Sequence, residues 1–165
     1  MTAATDQDLL REVEAFIFRE ARLQDDLEYD AWEALWTDDA VYWVPANGED
    51  NDPTKVMSII FDNRARIATR IKQLHTGKRH SQTPPSRLRR IVSNVELLDG
   101  EPEHPDDVAA GANFVVFESR ERGMTLWPGR ATYRLRRVDG DWRMSYKKVV
   151  LVNNDRPLHN LAFLV

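Results

Sequence analysis

The pattern of apolar positions divides the chain into a helical first half, to about residue 76, and a strand-rich second half. Behind Asp6, which the sequence predicts as an N-cap, apolar residues recur at helical spacing: Leu9, Leu10, Val13, Phe16, Ile17 and Ala21. The charged residues of this stretch, Glu20 among them, are assigned to the opposite face. The same spacing predicts a short helix over residues 29–36 and a third from a cap at Asp62 through residue 74, ended by Gly77.

The strands are indicated by β-rich runs separated by turn-forming residues. A turn at residues 37–39 leads into a strand over 40–44 that Pro45 ends, and a short strand is predicted over 56–61. Four longer strands are expected over 88–98, 113–120, 126–138 and 142–152, the last two joined at Asp139-Gly140-Asp141. In the last strand alternation places one set on a single face, with Lys148 out of pattern: Trp142, Met144, Tyr146, Val150 and Val152. Helices followed by strands predict an α+β fold, in which helices cover the apolar side of a long antiparallel sheet.

Composition narrows the chemistry available to the chain. Its 165 residues, 42% hydrophobic and 30% charged, predict one domain over residues 1–165. A formal net charge of −4 disfavours nucleic acid as a partner. A polar start and the lack of a long apolar run predict a cytoplasmic protein without a membrane partner. The chain has no cysteine, which excludes disulfides, cysteine nucleophiles and thiolate-ligated zinc or iron–sulfur centres within it.

Several segments, taken in order, resemble the small (β) subunits of aromatic-ring-hydroxylating dioxygenases. They are Leu23-Gln24-Asp25, residues 29–32, the run Leu35-Trp36-Thr37-Asp38-Asp39-Ala40-Val41-Tyr42-Trp43-Val44-Pro45, Asp62-Asn63-Arg64, residues 70–71 and 74–77, residues 81–87 and 89–95, Gly129-Arg130, and residues 135–138 with Trp142-Arg143. The likeness extends over nearly the whole chain. It departs only at the acidic, proline-containing stretch 100–110.

The resemblance implies an NTF2-like cone: three N-terminal helices packed on a strongly curved, mostly antiparallel sheet. It implies a non-catalytic subunit that forms a homotrimer and joins three large (α) subunits in a hexamer. The Rieske [2Fe–2S] cluster and the mononuclear Fe(II) are then in the large subunit, and electrons arrive from NAD(P)H through a reductase. The residues agree, since a Rieske centre needs two cysteines and the four histidines show no paired ligand spacing: His75, His80, His104 and His159.

Six residues are candidates for the subunit interface. Arginine is enriched in such contacts because its planar fork pairs with carboxylates, and an exposed tryptophan makes a good anchor. The candidates are Arg87, Arg90, Arg130, Arg134, Arg136 and Trp127. Alternation places the three arginines at 130, 134 and 136 on one strand face, where a simple solvated surface is the competing interpretation.

Two other classes of function remain open at this point. Cones of this shape also serve as stand-alone isomerases, dehydratases or cyclases, whose cavity carries an acid or a tyrosine. Here those cavity candidates are Asp39, Tyr42, His80 and Tyr133. A catalytic aspartate requires an apolar wall that raises its pKa, whereas Asp39 follows Asp38 in a predicted turn. The third class is a cone that binds a ligand without catalysis.

Overall fold

The computed structural model describes residues 3–76, 85–100, 102–156, 161 and 163–165. The helices are α1 (Ala3–Asp25), α2 (Tyr29–Glu33) and α3 (Arg64–His75). The strands are β1 (Trp36–Pro45), β2 (Ser58–Asn63), β3 (Arg87–Leu97), β4 (Val108–Arg120), β5 (Gly123–Val138) and β6 (Asp141–Leu151). No described helix has both the length and the apolar character that crossing a membrane requires.

The six strands form one sheet in the order β2-β1-β6-β5-β4-β3. All neighbours are antiparallel except β1 and β6, which run parallel. Asp139 and Gly140 close the last hairpin with positive φ angles of 52° and 85°, as a tight two-residue turn requires. The predicted hairpin and the mostly antiparallel sheet are confirmed.

The three helices pack on one face of the curled sheet and close the core. Val13 and Ile17 of α1, Trp32 of α2, and Ile67 and Ile71 of α3 are all buried in a single hydrophobic cluster with the sheet. The rings of the tryptophans at 32 and 36 meet edge to face, with centroids 5.4 Å apart. The predicted α+β cone is therefore confirmed.

Several predicted boundaries are wrong for local reasons. Helix α1 begins at Ala3, so Asp6 lies in its first turn and is not the N-cap. Helix α2 ends at Glu33, and residues 37–39 are part of β1, where the register with β6 shifts. In place of a turn, the Thr37 hydroxyl donates to Asp39 Oδ1 at 2.6 Å, which satisfies both side chains within the irregular strand.

The cap of α3 is displaced by one residue from the prediction. Asn63 accepts a hydrogen bond from the backbone N–H of Arg66 at 2.9 Å. Asp62 instead lies within β2 as a buried carboxylate, and Arg70 Nε donates to it at 2.7 Å. Gly77, predicted to end this helix, lies outside the described residues.

The long strands begin earlier than expected. Strand β4 starts at Val108, so residues 108–112, expected to precede the strand, pair with β5, and β5 itself starts at Gly123. Hydrogen bonds to the neighbouring strand hold these residues in the sheet. Local sequence patterns do not show such pairing, so the strands were predicted too short.

A β-bulge in β6 reverses its inward face. Arg134 pairs with Tyr146 and Leu135 with Met144, so Ser145 is an extra residue without an opposite partner. Because side chains alternate with a period of two, the extra residue turns Lys147, Val149 and Leu151 inward. The prediction that Trp142, Met144, Tyr146, Val150 and Val152 share one face is thus wrong after Met144, and the lysine that joins the buried face is Lys147.

Candidate functional site

The interior of the cone contains a buried ion pair. Lys147 of β6 places its Nζ 2.5 Å from Glu20 Oε1 of α1, and the two side chains are only 3% and 1% exposed. The indole N–H of Trp32 donates to the same carboxylate oxygen at 3.3 Å. Burial lowers the pKa of Lys147, while the Glu20 charge acts in the opposite direction. The pair therefore holds two charges inside the core, where each depends on the other.

A second internal ion pair joins α1 to the sheet. Arg90 Nε donates to Asp25 Oδ1 at 2.7 Å, and the backbone N–H of Arg90 donates to the other oxygen at 3.0 Å. The same guanidinium also donates to Gln24 Oε1 and to the backbone carbonyl of Leu164. Both charged side chains are 4% exposed. Arg90 was predicted at the subunit interface, and this is wrong because its guanidinium is buried and makes its hydrogen bonds within the chain.

The space left beside these groups is small. The interior cavity has a volume of about 10 Å³ for a water-sized occupant, which is room for about one water molecule. Its lining combines the polar pairs with apolar side chains: Glu20, Ala21, Gln24, Arg90, Val92, Ala112, Phe114, Ala131, Tyr133, Lys147 and Val165. In the described part of the chain, Gln24 Nε2 is buried without a hydrogen-bond partner. An organic substrate does not fit this volume.

The three described cavity candidates of the stand-alone enzyme interpretation do not all line the cavity. Tyr133 lines the cavity, but Tyr42 lies beyond it, where its hydroxyl donates to Val165 O at 2.5 Å. Burial raises the pKa of both phenols. His80 lies outside the described residues.

Asp39, the fourth cavity candidate, is on the outer face and does not line the interior. Hydrogen bonds from Thr37 and then Arg136 lower its pKa, which is the opposite of what a general acid requires. Its placement as a cavity residue is therefore wrong, because the outer arginine and not an apolar wall surrounds it.

The three candidate arginines of β5, at positions 130, 134 and 136, do share the outer face, as alternation predicts, and each is paired within the chain. Arg136 donates to Asp107 at 2.7 Å and to Asp39 at 3.1 Å, and these contacts raise its pKa. Arg134 lies 4.5 Å above the ring of Tyr146. Arg130 donates to Glu96 at 2.6 Å and to Asn113 at 3.1 Å. Their role at an interface stays a prediction, as does that of exposed Arg87.

Trp127 is buried and not exposed as expected. It is 3% exposed because odd-numbered residues of β5 face the helices, in phase with Ala131 and Leu135. Its indole N–H donates to Glu118 Oε1 at 3.2 Å, and its ring meets that of Phe163 edge to face at 5.5 Å. Trp127 therefore supports the core and is not available as a surface anchor.

The described residues do not present the donor set of an iron site. The described residues contain no group of three His, Cys, Asp or Glu side chains with the spacing of a metal site. His75 Nε2 is 2.7 Å from Asp30 Oδ1, and His104 Nδ1 accepts from the backbone N–H of Asp106. With no cysteine in the sequence, a Rieske cluster has no ligands of its usual kind here.

The internal charges were missed although part of their signal was present. Glu20 and Gln24 continue the helical spacing of Val13, Ile17 and Ala21, so they belong to the inward face of α1. Assigning Glu20 to the outer face is therefore wrong. The sequence pattern did not indicate that Lys147 faces inward, because its inward position depends on the bulge at residue 145.

Comparisons with known proteins agree on one family. The family model described as "Ring hydroxylating beta subunit" matches residues 19–155. The small oxygenase component of the p-cumate 2,3-dioxygenase system of Pseudomonas putida is 30% identical over 142 residues, which cover 85% of this chain and 77% of that protein.

Two solved structures show the same architecture. The β subunit of benzoate 1,2-dioxygenase from Burkholderia mallei matches with 25% identity and a TM-score of 0.74, over 92% of this chain and 95% of that one. A structure of naphthalene 1,2-dioxygenase matches with 16% identity and a TM-score of 0.82, over 97% of this chain and 87% of that one, which shows the shared fold.

Proposed function

Since the chain belongs to the family of ring-hydroxylating β subunits, we propose that it is the non-catalytic small subunit of an aromatic-ring-hydroxylating dioxygenase. In this role it acts as a single cytoplasmic domain over residues 1–165. Three copies form a trimeric base that holds three large subunits in a hexamer. The holoenzyme adds both atoms of O₂ to an aromatic ring, giving a cis-dihydrodiol or, after loss of a leaving group, a phenol.

The redox groups of this reaction are assigned to the partner. The large subunit would hold the Rieske [2Fe–2S] cluster and the mononuclear Fe(II), and a reductase would deliver electrons from NAD(P)H. The observation that carries the proposal is the family match over residues 19–155, in a chain without cysteine. The polar pairs and the cavity of about 10 Å³ inside the cone also favour a structural subunit over an enzyme with its own substrate pocket.

Co-purification tests the proposal. The untagged chain is expressed with a tagged candidate Rieske large subunit from the same organism, and mass and iron content are measured by light scattering and metal analysis. We expect an iron-containing complex with equal numbers of the two chains, and no iron in this chain expressed alone. The large subunit expressed without this chain is the control. A chain that never co-purifies with the large subunit would contradict the proposal.

A further inference from the structure

The outer face of the sheet carries an exposed apolar patch on β3, β4 and β5. Strand pairing places Ile91 beside Val115 and Val115 beside Pro128, and in the next row Phe117 lies beside Leu126. We call these residues, with Met124, the β3–β5 patch: Ile91, Val115, Phe117, Met124, Leu126 and Pro128. Ile91, Met124 and Leu126 are 59%, 61% and 55% exposed. Cross-strand neighbours of this kind lie about 5 Å apart, so the side chains form one continuous surface.

Three exposed arginines flank the end of this patch that contains Met124 and Leu126, and one of them, Arg89, lies 3.9 Å from Asp26. Arg87 and Arg89 are exposed on β3. Across β4, Arg87 is in register with Met124 and Arg89 is in register with Leu126. Arg122 is exposed in the turn that leads into β5, and Glu121 beside it is the acidic residue of that turn. An apolar surface with a basic rim is suited to a partner surface that is apolar with an acidic rim.

Such a surface is present near the other edge of the same sheet. Just before edge strand β2, Met57 is 88% exposed and Val56 is 38% exposed. The preceding loop places three exposed acidic residues next to them: Glu49, Asp50 and Asp52. Lys55 is the basic residue of this loop and contacts Asp52 at 3.6 Å. We call residues 49–57 the acidic loop patch.

Resting on the proposed role as a trimeric small subunit, we propose that the β3–β5 patch of one copy docks on the acidic loop patch of the next. The two patches differ in position and are opposite in charge, so the contact is heterologous, and repetition of a heterologous contact closes a ring when the rotation allows it. The sheet order places β3 and β2 at opposite edges, while Glu49 of the acidic loop patch lines the same groove as Pro128 of the β3–β5 patch, so the two patches border each other within one chain. A second copy is the occupant that this complementarity within one chain favours.

The test compares matched surface variants of the full chain expressed alone. Leu126→Asp alters the first patch and Met57→Asp alters the second, while Phe18→Asp changes an exposed apolar residue of α1 that lies in neither. We expect the unaltered chain and the Phe18 variant to have three times the 19.1 kDa chain mass by light scattering, and each patch variant to be monomeric. Circular dichroism melts check that all the variants are folded.

Mixing the two monomeric variants gives the decisive result. The Leu126 variant retains an intact acidic loop patch and the Met57 variant an intact β3–β5 patch, so an equimolar mixture should form a dimer with one functional contact. A trimer that dissociates on Leu126→Asp but not on Met57→Asp, or a mixture that stays monomeric, would overturn the proposal. A chain that is monomeric alone yet co-purifies with the large subunit would overturn it too, while leaving the proposed function intact.

Discussion

Replacing Lys147 with methionine leaves the Glu20 carboxylate buried without its ion-pair partner. Both side chains are almost fully enclosed, and the Nζ to Oε1 distance is 2.5 Å. Removing one member of a buried pair costs about 3–5 kcal/mol of unfolding free energy. Glu20 keeps its hydrogen bond from Trp32, so we expect the lower end, about 3 kcal/mol. For a domain of this size that loss lowers the melting temperature by about 6–12 °C.

The assay is equilibrium unfolding in urea followed by circular dichroism, with the m-value checked for constancy. The matched control is Lys148→Met, the neighbouring lysine on the outer face, whose Nζ lies 4.6 Å above the Trp43 ring. We expect that variant to lose about 1 kcal/mol at most, as a partly exposed cation–π contact.

A double variant tests whether the stability loss comes from the carboxylate that is left without a partner. Combining Lys147→Met with Glu20→Gln removes both charges, so it should recover part of the stability that the Lys147 variant loses. The reasoning fails if Lys147→Met is as stable as Lys148→Met, or if the losses of the two single variants simply add in the double variant.

Four further variants, at three positions, test other contacts. Arg90→Met leaves the Asp25 carboxylate buried and unpaired and should cost about 3–5 kcal/mol in urea unfolding; Arg90→Lys should recover only part of this, because an ammonium lacks the guanidinium fork. Trp127→Ala should cost about 3–5 kcal/mol as a core truncation, and an unchanged melting temperature would contradict the burial of this ring. Asp39→Asn tests pH dependence. Because the pKa of Asp39 is lower in the folded chain, the unfolded chain binds more protons as the pH falls. The Asp39 carboxylate therefore stabilises the fold above the unfolded pKa, near 3.9, and this stabilisation is lost as the pH falls through the folded pKa. The variant should therefore lose less stability than the parent between about pH 5 and pH 2 in acid-unfolding curves, and parallel curves would contradict this assignment.

Local spacing in the sequence was sufficient for the element types. The repeat of Val13, Phe16 and Ile17 predicts α1, and the Asp139-Gly140 turn predicts the last hairpin, because helical periodicity and turn chemistry act over a few residues. The α+β class follows from the order of these elements along the chain. The absence of cysteine likewise excludes an ordinary Rieske site in this chain without any structure.

The tertiary structure decided which side chains meet. Lys147 faces inward only because Ser145 is an extra residue against β5, and a register shift is a property of two paired strands and not of either alone. Arg90 and Asp25 are 65 residues apart and pair only when α1 lies on β3. Trp127 shows the same limit: its place at the start of a predicted strand was compatible with an exposed side chain, and strand pairing turns it toward the core.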